Sequence, residues 1–504
     1  MGAVRGVLLD ESVLLSDDGS GNPRLKPGAE VLLRRLRYSN LRVGFCHHED
    51  LSAVKAIFLQ NTARIYSFSC ISLDAPDAKY SFNQLLLDWG IAGDSCFYVT
   101  SKRHDAFTHE IKNQGWLTVC VGVDSGSVMN KEFLFINKLE ELLLTVCSLS
   151  KKVILSAMQK SVVVIGYVMK PSREEDFAKA STLGALPMYP TQNGLIFVPL
   201  TFDIPLLSQL QDVDAVLHKA TDEIVDFNPH ISTHFSHGIS FSKGMQELER
   251  FIQDHPECCM IDPLNNIYPL LDRYNIQQLL LGLQELNMKD HCRLRAPHFL
   301  KIDNFHEPNL RDQLSEANLS FPIIVKPQIA CGVGDAHSMA LVFKFEDFKE
   351  ICVPLPAILQ EYVDHGSLIF KFYVLGNNVF HAVKKSMPNA SFLKSSSEKA
   401  GSKPIIFDSL KSLPVATDDQ FSVGRLQGDI QSLDVDLVKS AANWLKTKLD
   451  LSIFGFDVVI QEDTGDHVIV DLNYLPSFKE VPDTDAIPAF WTAIKSAYEA
   501  RKTN

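Results

Sequence analysis

Three oxygen-bearing side chains lie within seventeen consecutive residues near the end of this chain. Asp457 sits inside Leu451-Ser-Ile-Phe-Gly-Phe-Asp457-Val-Val-Ile460, and Asp471 and Asn473 close His467-Val-Ile-Val-Asp471-Leu-Asn473. Both runs are rich in β-branched and aromatic residues, which predicts strands, and the two-residue strand period puts Asp471 and Asn473 on one face. Hard oxygen ligands on a common face suit Mg²⁺, which keeps several waters and takes only one or two protein carboxylates when nucleotide phosphates supply the rest. The three residues read as a metal shelf for ATP. Taken alone, the pattern also fits a hairpin with polar residues on its solvated side.

The elements that must position such a shelf carry further charge at their ends. His218 and Lys219 follow the strand Ala215-Val-Leu, and Arg273 follows Tyr268-Pro-Leu-Leu-Asp272, where a surface ion pair with Asp272 is the plainer alternative. Lys326 ends Phe321-Pro-Ile-Ile-Val-Lys326 and opens a glycine-bearing segment, Cys331-Gly-Val-Gly-Asp-Ala-His337. A lysine there is a point charge for nucleotide phosphates, and the glycines let a loop close over them. Pro356-Ala-Ile-Leu-Gln360-Glu361-Tyr362-Val363 is a short apolar strand that periodicity alone would place in a core. Lys371 begins a further strand and is expected to join Lys326 on the phosphates.

In order along the chain, Ala215-Val-Leu-His-Lys219-Ala-Thr-Asp222, Leu271-Asp-Arg273, the Lys326 strand, Gln360-Glu-Tyr-Val363, Lys371-Phe-Tyr-Val374, Val383-Lys-Lys-Ser386 and the metal shelf succeed one another. This succession resembles the inositol 1,3,4-trisphosphate 5/6-kinases, also called inositol tetrakisphosphate 1-kinases, a family with the ATP-grasp fold. Each motif is weak alone; their order and separation carry the resemblance, over roughly residues 160 to 500. It implies an α/β ATP-grasp kinase domain over 161–504 that moves the γ-phosphoryl of ATP to a ring hydroxyl of an inositol tris- or tetrakisphosphate, with Mg²⁺ as two ions accompanying ATP. It implies ATP contacts from Arg273, Lys326, the backbone of Gln360, Glu361, Tyr362 and Val363, and Lys371, Ser386 and Ser409. Substrate contacts are implied for Lys170, Arg173, Lys219, His337, Lys385, Asn473 and Ser477. No general base is assigned, because phosphoryl transfer rests on positioning and charge neutralisation. The sequence departs from the family at Cys331, where His is usual, and at Ser477, where Gly is usual. An ATP-grasp carboxylate-amine ligase would share the fold and the shelf, and a catalytically weak scaffold is a third reading; Lys219 and Arg273 favour the kinase.

Composition sets outer bounds. With 504 residues and 46% hydrophobic content, more than one core is expected. The longest apolar run, Ser161–Met169, is too short to cross a bilayer, and the N-terminus predicts neither a secretory signal nor myristoylation. A cytoplasmic or nuclear location follows as an expectation. The net charge of -13 opposes non-specific nucleic-acid binding, so an anionic substrate must be held by local contacts. Ten scattered cysteines without Cys-x-x-Cys predict reduced thiols. Ser395–Lys403 reads as a mobile loop. His230, His234 and His237 could share a helix face and bind zinc, but Pro229 and Gly238 bound them, and a polar surface insertion is expected instead.

Residues 1–148 lie outside the kinase resemblance. Gly6-Val-Leu-Leu, Arg42-Val-Gly-Phe, Ser95-Cys-Phe-Tyr-Val and Leu117-Thr-Val-Cys-Val alternate with helical patterns, which predicts a Rossmann-like parallel sheet. Val7-Leu-Leu-Asp10 and Tyr98-Val-Thr-Ser-Lys-Arg-His-Asp105 resemble a haloacid-dehalogenase domain, in degenerate form. Ser12 stands for the acid/base Asp, Cys46 or His47 for the phosphate-binding hydroxyl, and Ser101 for an acidic Mg²⁺ ligand. Asp10, with only Asp105 remaining, has no means to organise covalent phosphoryl transfer. The domain reads as a non-catalytic scaffold open to a protein partner, closed by a helix over 137–146 and followed by a linker at 149–160.

Overall fold

The computed structural model describes residues 3–73, 78–101, 111–122, 133–158, 162–178, 184–227, 238–287, 293–399, 403–417 and 433–502. They cluster into two units, 1–217 with 254–259, and 218–253 with 260–504.

In the first unit, β1 (Gly6–Asp10) is buried along its whole length, as a parallel strand covered on both faces must be. Around it stand β2 (Arg42–His47), β3 (Ser69–Ser72), β4 (Cys96–Thr100), β5 (Leu117–Val121) and β6 (Leu134–Ile136), in the order β3-β2-β1-β4-β5-β6, all parallel. Helices α1 (Ala29–Tyr38), α2 (Ala53–Tyr66) and α3 (Ala78–Trp89) form the crossovers that parallel pairing requires. Leu8, Cys46, Phe82, Trp89, Tyr98 and Trp116 form one of its apolar clusters. The expected Rossmann-like sheet is present.

Helix α4 (Leu142–Met158) runs through most of the stretch expected as a linker. Its seventeen residues contain neither Gly nor Pro, so nothing in the sequence stops the helix where a linker was read. A second sheet follows, from β7 (Val163–Val168), β8 (Leu195–Pro199), β9 (Ala215–His218) and β10 (Cys259–Ile261), in the order β8-β7-β9-β10. Helix α5 (Pro171–Ala178) leaves β7, and the chain passes into the second unit at the ends of β9 and β10.

The second unit holds two five-stranded sheets. One has the order β11-β20-β19-β16-β17, from β11 (Leu294–Arg295), β16 (Leu368–Leu375), β17 (Asn378–Lys385), β19 (Ile453–Ile460) and β20 (His467–Tyr474). The other is β12-β15-β13-β14-β18, from β12 (Phe299–Ile302), β13 (Ile323–Pro327), β14 (Ser338–Val342), β15 (Ala357–Glu361) and β18 (Ile405–Asp408), antiparallel throughout. Its core gathers Ile302, Leu310, Val325, Val342, Phe348 and Leu359. Helix α6 (Arg273–Leu281) precedes the sheets; α7 (Ala390–Lys399), α8 (Val435–Leu449) and α9 (Asp483–Lys502) follow in the chain. Helix α7 covers the first half of the segment read as a mobile loop, because Ala390-Ser-Phe-Leu gives it an apolar side on which Leu393 is buried.

Candidate functional site

Strand register brings the metal-shelf residues into one row. Asp457 on β19 faces Asp471 on β20 directly, and on its other side faces Lys371 on β16; one step along, Tyr373, Gly455 and Asn473 form the parallel row. Alternation from the sequence was therefore enough to find the shelf, since directly opposed residues share a face. On the opposite face Phe372 and Phe456 stack with ring centroids 5.1 Å apart and fix the strands beneath it. Gly455 is demanded by space, because a Cβ there would stand 2.9 Å from the Phe372 carbonyl and 3.0 Å from the Pro476 side chain.

The shelf is short of positive charge. Lys371 Nζ donates to Asp457 Oδ2 at 2.8 Å and to Oδ1 at 3.2 Å. Burial works to lower the Lys371 pKa, yet the Asp457 and Asp471 carboxylates outweigh it and hold it above the usual lysine value. Burial, reinforced by Asp471 and opposed by Lys371, pushes the Asp457 carboxyl up. Two carboxylates against one ammonium leave a row that a divalent cation would relieve, and two carboxylates with the Asn473 carboxamide oxygen are the hard donors Mg²⁺ prefers.

Lys326, at the end of β13, is 7% exposed and points back to the shelf strand, its Nζ 3.4 Å from the Val470 carbonyl. Burial takes its pKa down to about 8, with Arg273 lowering it further and Asp471 and Asp457 acting against the fall. Lys326 and Lys371 thus converge on one shelf. Lys371 is salt-bridged to a shelf carboxylate, and it would exchange that partner for a phosphate once the carboxylate is neutralised.

Arg273 departs from the phosphate contact expected of it. It is buried, and its Nη1 lies 2.7 Å from the Pro327 carbonyl, 2.8 Å from that of Ile329 and 3.1 Å from that of Ala336, while Nη2 reaches Ala336 at 3.1 Å and Ala330 at 3.4 Å. The guanidinium ties down the glycine-bearing segment after Lys326. Nor does Asp272 pair with it: Asp272 caps α6 by accepting from the Tyr274 N–H at 2.8 Å and takes the Gln328 side chain at 2.9 Å.

The strand expected to meet adenine, β15, is central and hydrogen-bonded to β12 and β13 along Ala357–Glu361. Gln360 is buried in it, and the Glu361 carboxylate is engaged by both Arg295 terminal nitrogens at 2.8 and 3.0 Å and by the His298 N–H at 2.9 Å. The Glu361 side chain is therefore a strut; the ladder ends there, and Tyr362 and Val363 follow it. His337 Nδ1 lies 3.2 Å from Ser409 Oγ, which brings two expected contact residues together beside β14 and β18. Ser386 is buried, with its backbone bonded to Ser367 and Ala416, and Lys385 is exposed on edge strand β17. Ser477 is half-buried just beyond β20.

Lys219 Nζ donates to the carbonyl of Tyr474, the residue after Asn473, and lies 5.1 Å from the centroid of its ring. The Tyr474 side chain points away from the shelf, its hydroxyl 2.9 Å from the His218 carbonyl and accepting from the Asp262 N–H at 3.2 Å. His218 is fully buried, with Nε2 2.7 Å from the Asp262 carbonyl and Nδ1 accepting from the Ala220 N–H, and burial takes its pKa down to about 4. It is a neutral spacer that fixes Lys219. Asp262, in turn, accepts from the Ser452 N–H at 2.8 Å and from Arg501 at 3.1 Å, anchoring the start of β19. Sequence reasoning missed Asp262, since its partners lie 190 and 239 residues away. It also missed Glu480, which accepts from Tyr373 and Lys384; the strand period that puts Tyr373 beside Lys371 was the available signal.

In the first unit Lys170 is exposed, and Arg173 lies on α5 rather than in the loop expected after β7. In the sheet of β1–β6, Ser12 and Ser101 stand beside Asp10 where the dehalogenase resemblance expects acids. Asp10 is wholly buried, accepting from the Tyr98 hydroxyl at 3.1 Å and the Ser12 N–H at 3.0 Å, and Ser101 bonds to Ser12. Asp105, His230, His234 and His237 lie outside the described residues. Among the described residues no cluster of three His, Cys, Asp or Glu groups could hold a metal, and no helix is long and apolar enough to cross a membrane.

Two five-stranded sheets whose lysines converge on a carboxylate row suit an ATP-grasp phosphotransferase or ligase alike. Family models separate these: the inositol 1,3,4-trisphosphate 5/6-kinase ATP-grasp domain matches residues 288–491, its pre-ATP-grasp domain residues 164–267, and an ITPK4 N-terminal HAD-like domain residues 1–152. The inositol-tetrakisphosphate 1-kinase 6 of Oryza sativa subsp. indica is 54% identical over 508 residues, covering 100% of this chain and 91% of its own. The inositol-tetrakisphosphate 1-kinase of Danio rerio is 28% identical across 58% of this chain and 69% of its own. A D-alanine–D-alanine ligase from Bacillus anthracis superposes with a TM-score of 0.40 at 12% identity, over 68% of this chain and 99% of that one. The chain belongs to the inositol 1,3,4-trisphosphate 5/6-kinase family: it is an inositol phosphate kinase with an ATP-grasp domain and a dehalogenase-like N-terminal domain.

Proposed function

We propose that this kinase moves the γ-phosphoryl of ATP to a ring hydroxyl of an inositol tris- or tetrakisphosphate on the row formed by Lys371, Asp457 and Asp471. That row is the observation that carries the reading. Mg²⁺, as two ions with ATP, would be held by Asp457, Asp471 and Asn473, and bound there it supplies charge neutralisation at the phosphates. Lys326 and Lys371 orient the phosphate chain from either side of the shelf. The segment following Lys326, kept in place by Arg273, covers it, and the ladder's end at Tyr362 and Val363 receives adenine, with Ser386 and Ser409 bordering the nucleotide.

The acceptor is assigned to Lys219, Lys170, Arg173, His337, Lys385, Asn473 and Ser477. Lys219 is the best supported of these, because its contact with Tyr474 sets it one residue from Asn473. No side chain is needed as a strong base: in-line positioning and neutralised charge supply the catalysis. Burial pushes the Cys331 thiol up, so this residue meets the substrate as a neutral, weak donor and not as an anion. The test is a product-resolved kinase assay across inositol tris- and tetrakisphosphates with Asp471→Asn, which keeps shape and removes charge. Turnover should fall by at least about a hundredfold with the melting temperature unchanged; near-normal turnover in saturating Mg²⁺ would refute the shelf.

A further inference from the structure

The dehalogenase-like domain and the sheet of β7–β10 meet at a buried ion cluster. Glu174, on α5, is 4% exposed. Its Oε1 accepts from Arg35 Nε at 3.2 Å and Arg35 Nη2 at 3.0 Å, and its Oε2 from Arg34 Nη2 at 3.4 Å. Both arginines belong to α1, and Arg35 Nη2 also reaches the Leu200 carbonyl just beyond β8 at 3.5 Å. The surroundings are closely packed. Arg35, Tyr38, Ser39, Tyr167, Glu174, Leu186 and Met188 enclose a void of about 10 Å³, room for roughly one water. Beside it the Met188 N–H donates to the Ser39 carbonyl at 3.1 Å.

Helix α4 makes a second attachment to the same sheet. Lys151 Nζ donates to the Asp212 carbonyl at 2.9 Å and to Asp214 Oδ2 at 3.1 Å, and that carboxylate oxygen accepts from the Val164 N–H on β7 at 2.7 Å. Two independent charged contacts therefore tie the first domain to the sheet from which α5 leaves.

We infer that Arg34, Arg35 and Glu174 are positioning residues for the acceptor: the dehalogenase-like domain has exchanged catalysis for setting the direction of α5, the helix from which Lys170 and Arg173 take hold of a substrate phosphate. The inference rests on the assignment of those two residues to the acceptor made above. The coupling is short. The Lys170 carbonyl accepts from both the Arg173 N–H at 2.9 Å and the Glu174 N–H at 3.0 Å, so the first turn of α5 is built on Lys170, and fixing Glu174 fixes how that turn is rotated. Two Arg35 donors on one carboxylate oxygen with Arg34 on the other constrain rotation as well as distance, which a lone lysine contact would not. The carboxylate also neutralises two guanidinium groups that would otherwise compete with Lys170 and Arg173 for phosphate.

Steady-state kinetics of the full chain, varying ATP and inositol phosphate separately, test this with Glu174→Gln, Arg35→Ala and Arg35→Lys beside Lys170→Ala and Arg173→Ala. Glu174→Gln and Arg35→Ala should raise the KM for inositol phosphate about tenfold while leaving the KM for ATP within about twofold, a factor of ten being about 1.4 kcal/mol of lost orientation. Arg35→Lys should fall between, because charge survives and the fork does not. The charge-swapped pair Arg35→Glu with Glu174→Arg should recover part of the loss. If Lys170→Ala or Arg173→Ala raises the KM for inositol phosphate while the clamp variants only lower the melting temperature, the positioning role is overturned. If neither Lys170→Ala nor Arg173→Ala alters it, the acceptor assignment itself fails and the inference falls with it. Should Glu174→Gln not yield folded protein, Arg34→Gln, which removes only the longest of the contacts to Glu174, carries the same measurement.

Discussion

Arg273 offers the sharpest contrast between what a sequence suggests and what a structure does with it. If its guanidinium serves the carbonyls of Pro327, Ile329, Ala330 and Ala336, Arg273→Ala must cost stability, whether or not nucleotide is present. Two of those contacts, at 2.7 and 2.8 Å, are short charge-assisted bonds, each worth about 1.5 to 3 kcal/mol. The gross gain is offset by taking the guanidinium out of water, which also lowers its pKa. Removing the side chain strands carbonyls that it alone reaches, at about 1 to 3 kcal/mol apiece where water cannot enter. The backbone bonds Arg273 N–H to Gln328 carbonyl and Ala330 N–H to Leu271 carbonyl survive, so the segment stays attached and the loss should stop at about 3 to 5 kcal/mol. At about 2 to 4 °C per kcal/mol for a unit of this size, the melting temperature should fall by about 10 °C. Arg273→Lys should recover little of this, since one ammonium cannot span the carbonyls the fork spans. Urea and thermal unfolding without ligand, paired with the KM for ATP, decide the matter. An Arg273→Ala protein that melts like wild type yet binds ATP poorly would refute the clamp and restore the phosphate reading.

Lys326 gives a pH signature. Its pKa is near 8 in the free protein and phosphate favours the charged form, so ATP affinity should be level below about pH 7.5 and weaken as pH rises through 8. Lys326→Arg should abolish that slope; titration calorimetry showing level affinity to about pH 9 would contradict it. Stability runs the other way: between about pH 8 and 10 the unfolded chain keeps a proton on this lysine that the folded protein has lost, so this group makes the fold more stable as pH rises. Deleting residues 1–148 cuts α4 partway along and removes Arg34 and Arg35 from Glu174. The truncated protein should melt well below the full chain or aggregate, and a soluble product with an unchanged melting temperature would show that the first domain is dispensable.

What was legible in the sequence followed from backbone geometry. A strand turns its side chains over every two residues, so Asp471 and Asn473 had to share a face, and a hairpin of β-branched runs had to bring Asp457 alongside. The seven-motif order then fixed which domain bore the shelf. Charge was legible, but the partner of each charge was not. Lys326, Arg273 and Glu361 carry the same promise of phosphate or nucleotide contact when read as letters, yet the first faces the shelf, the second grips four carbonyls and the third is braced by Arg295. Their partners lie 54 to 144 residues away, and nothing local encodes such distances. The stretch expected as a linker is helical for a simpler reason: Leu142–Met158 lacks any residue that stops a helix. Glu174 shows where both kinds of reading end. As a letter it is one acid in a charged helix, and only the arrival of Arg34 and Arg35 from 140 and 139 residues away turns it into the centre of a buried ion cluster that ties α1 to α5.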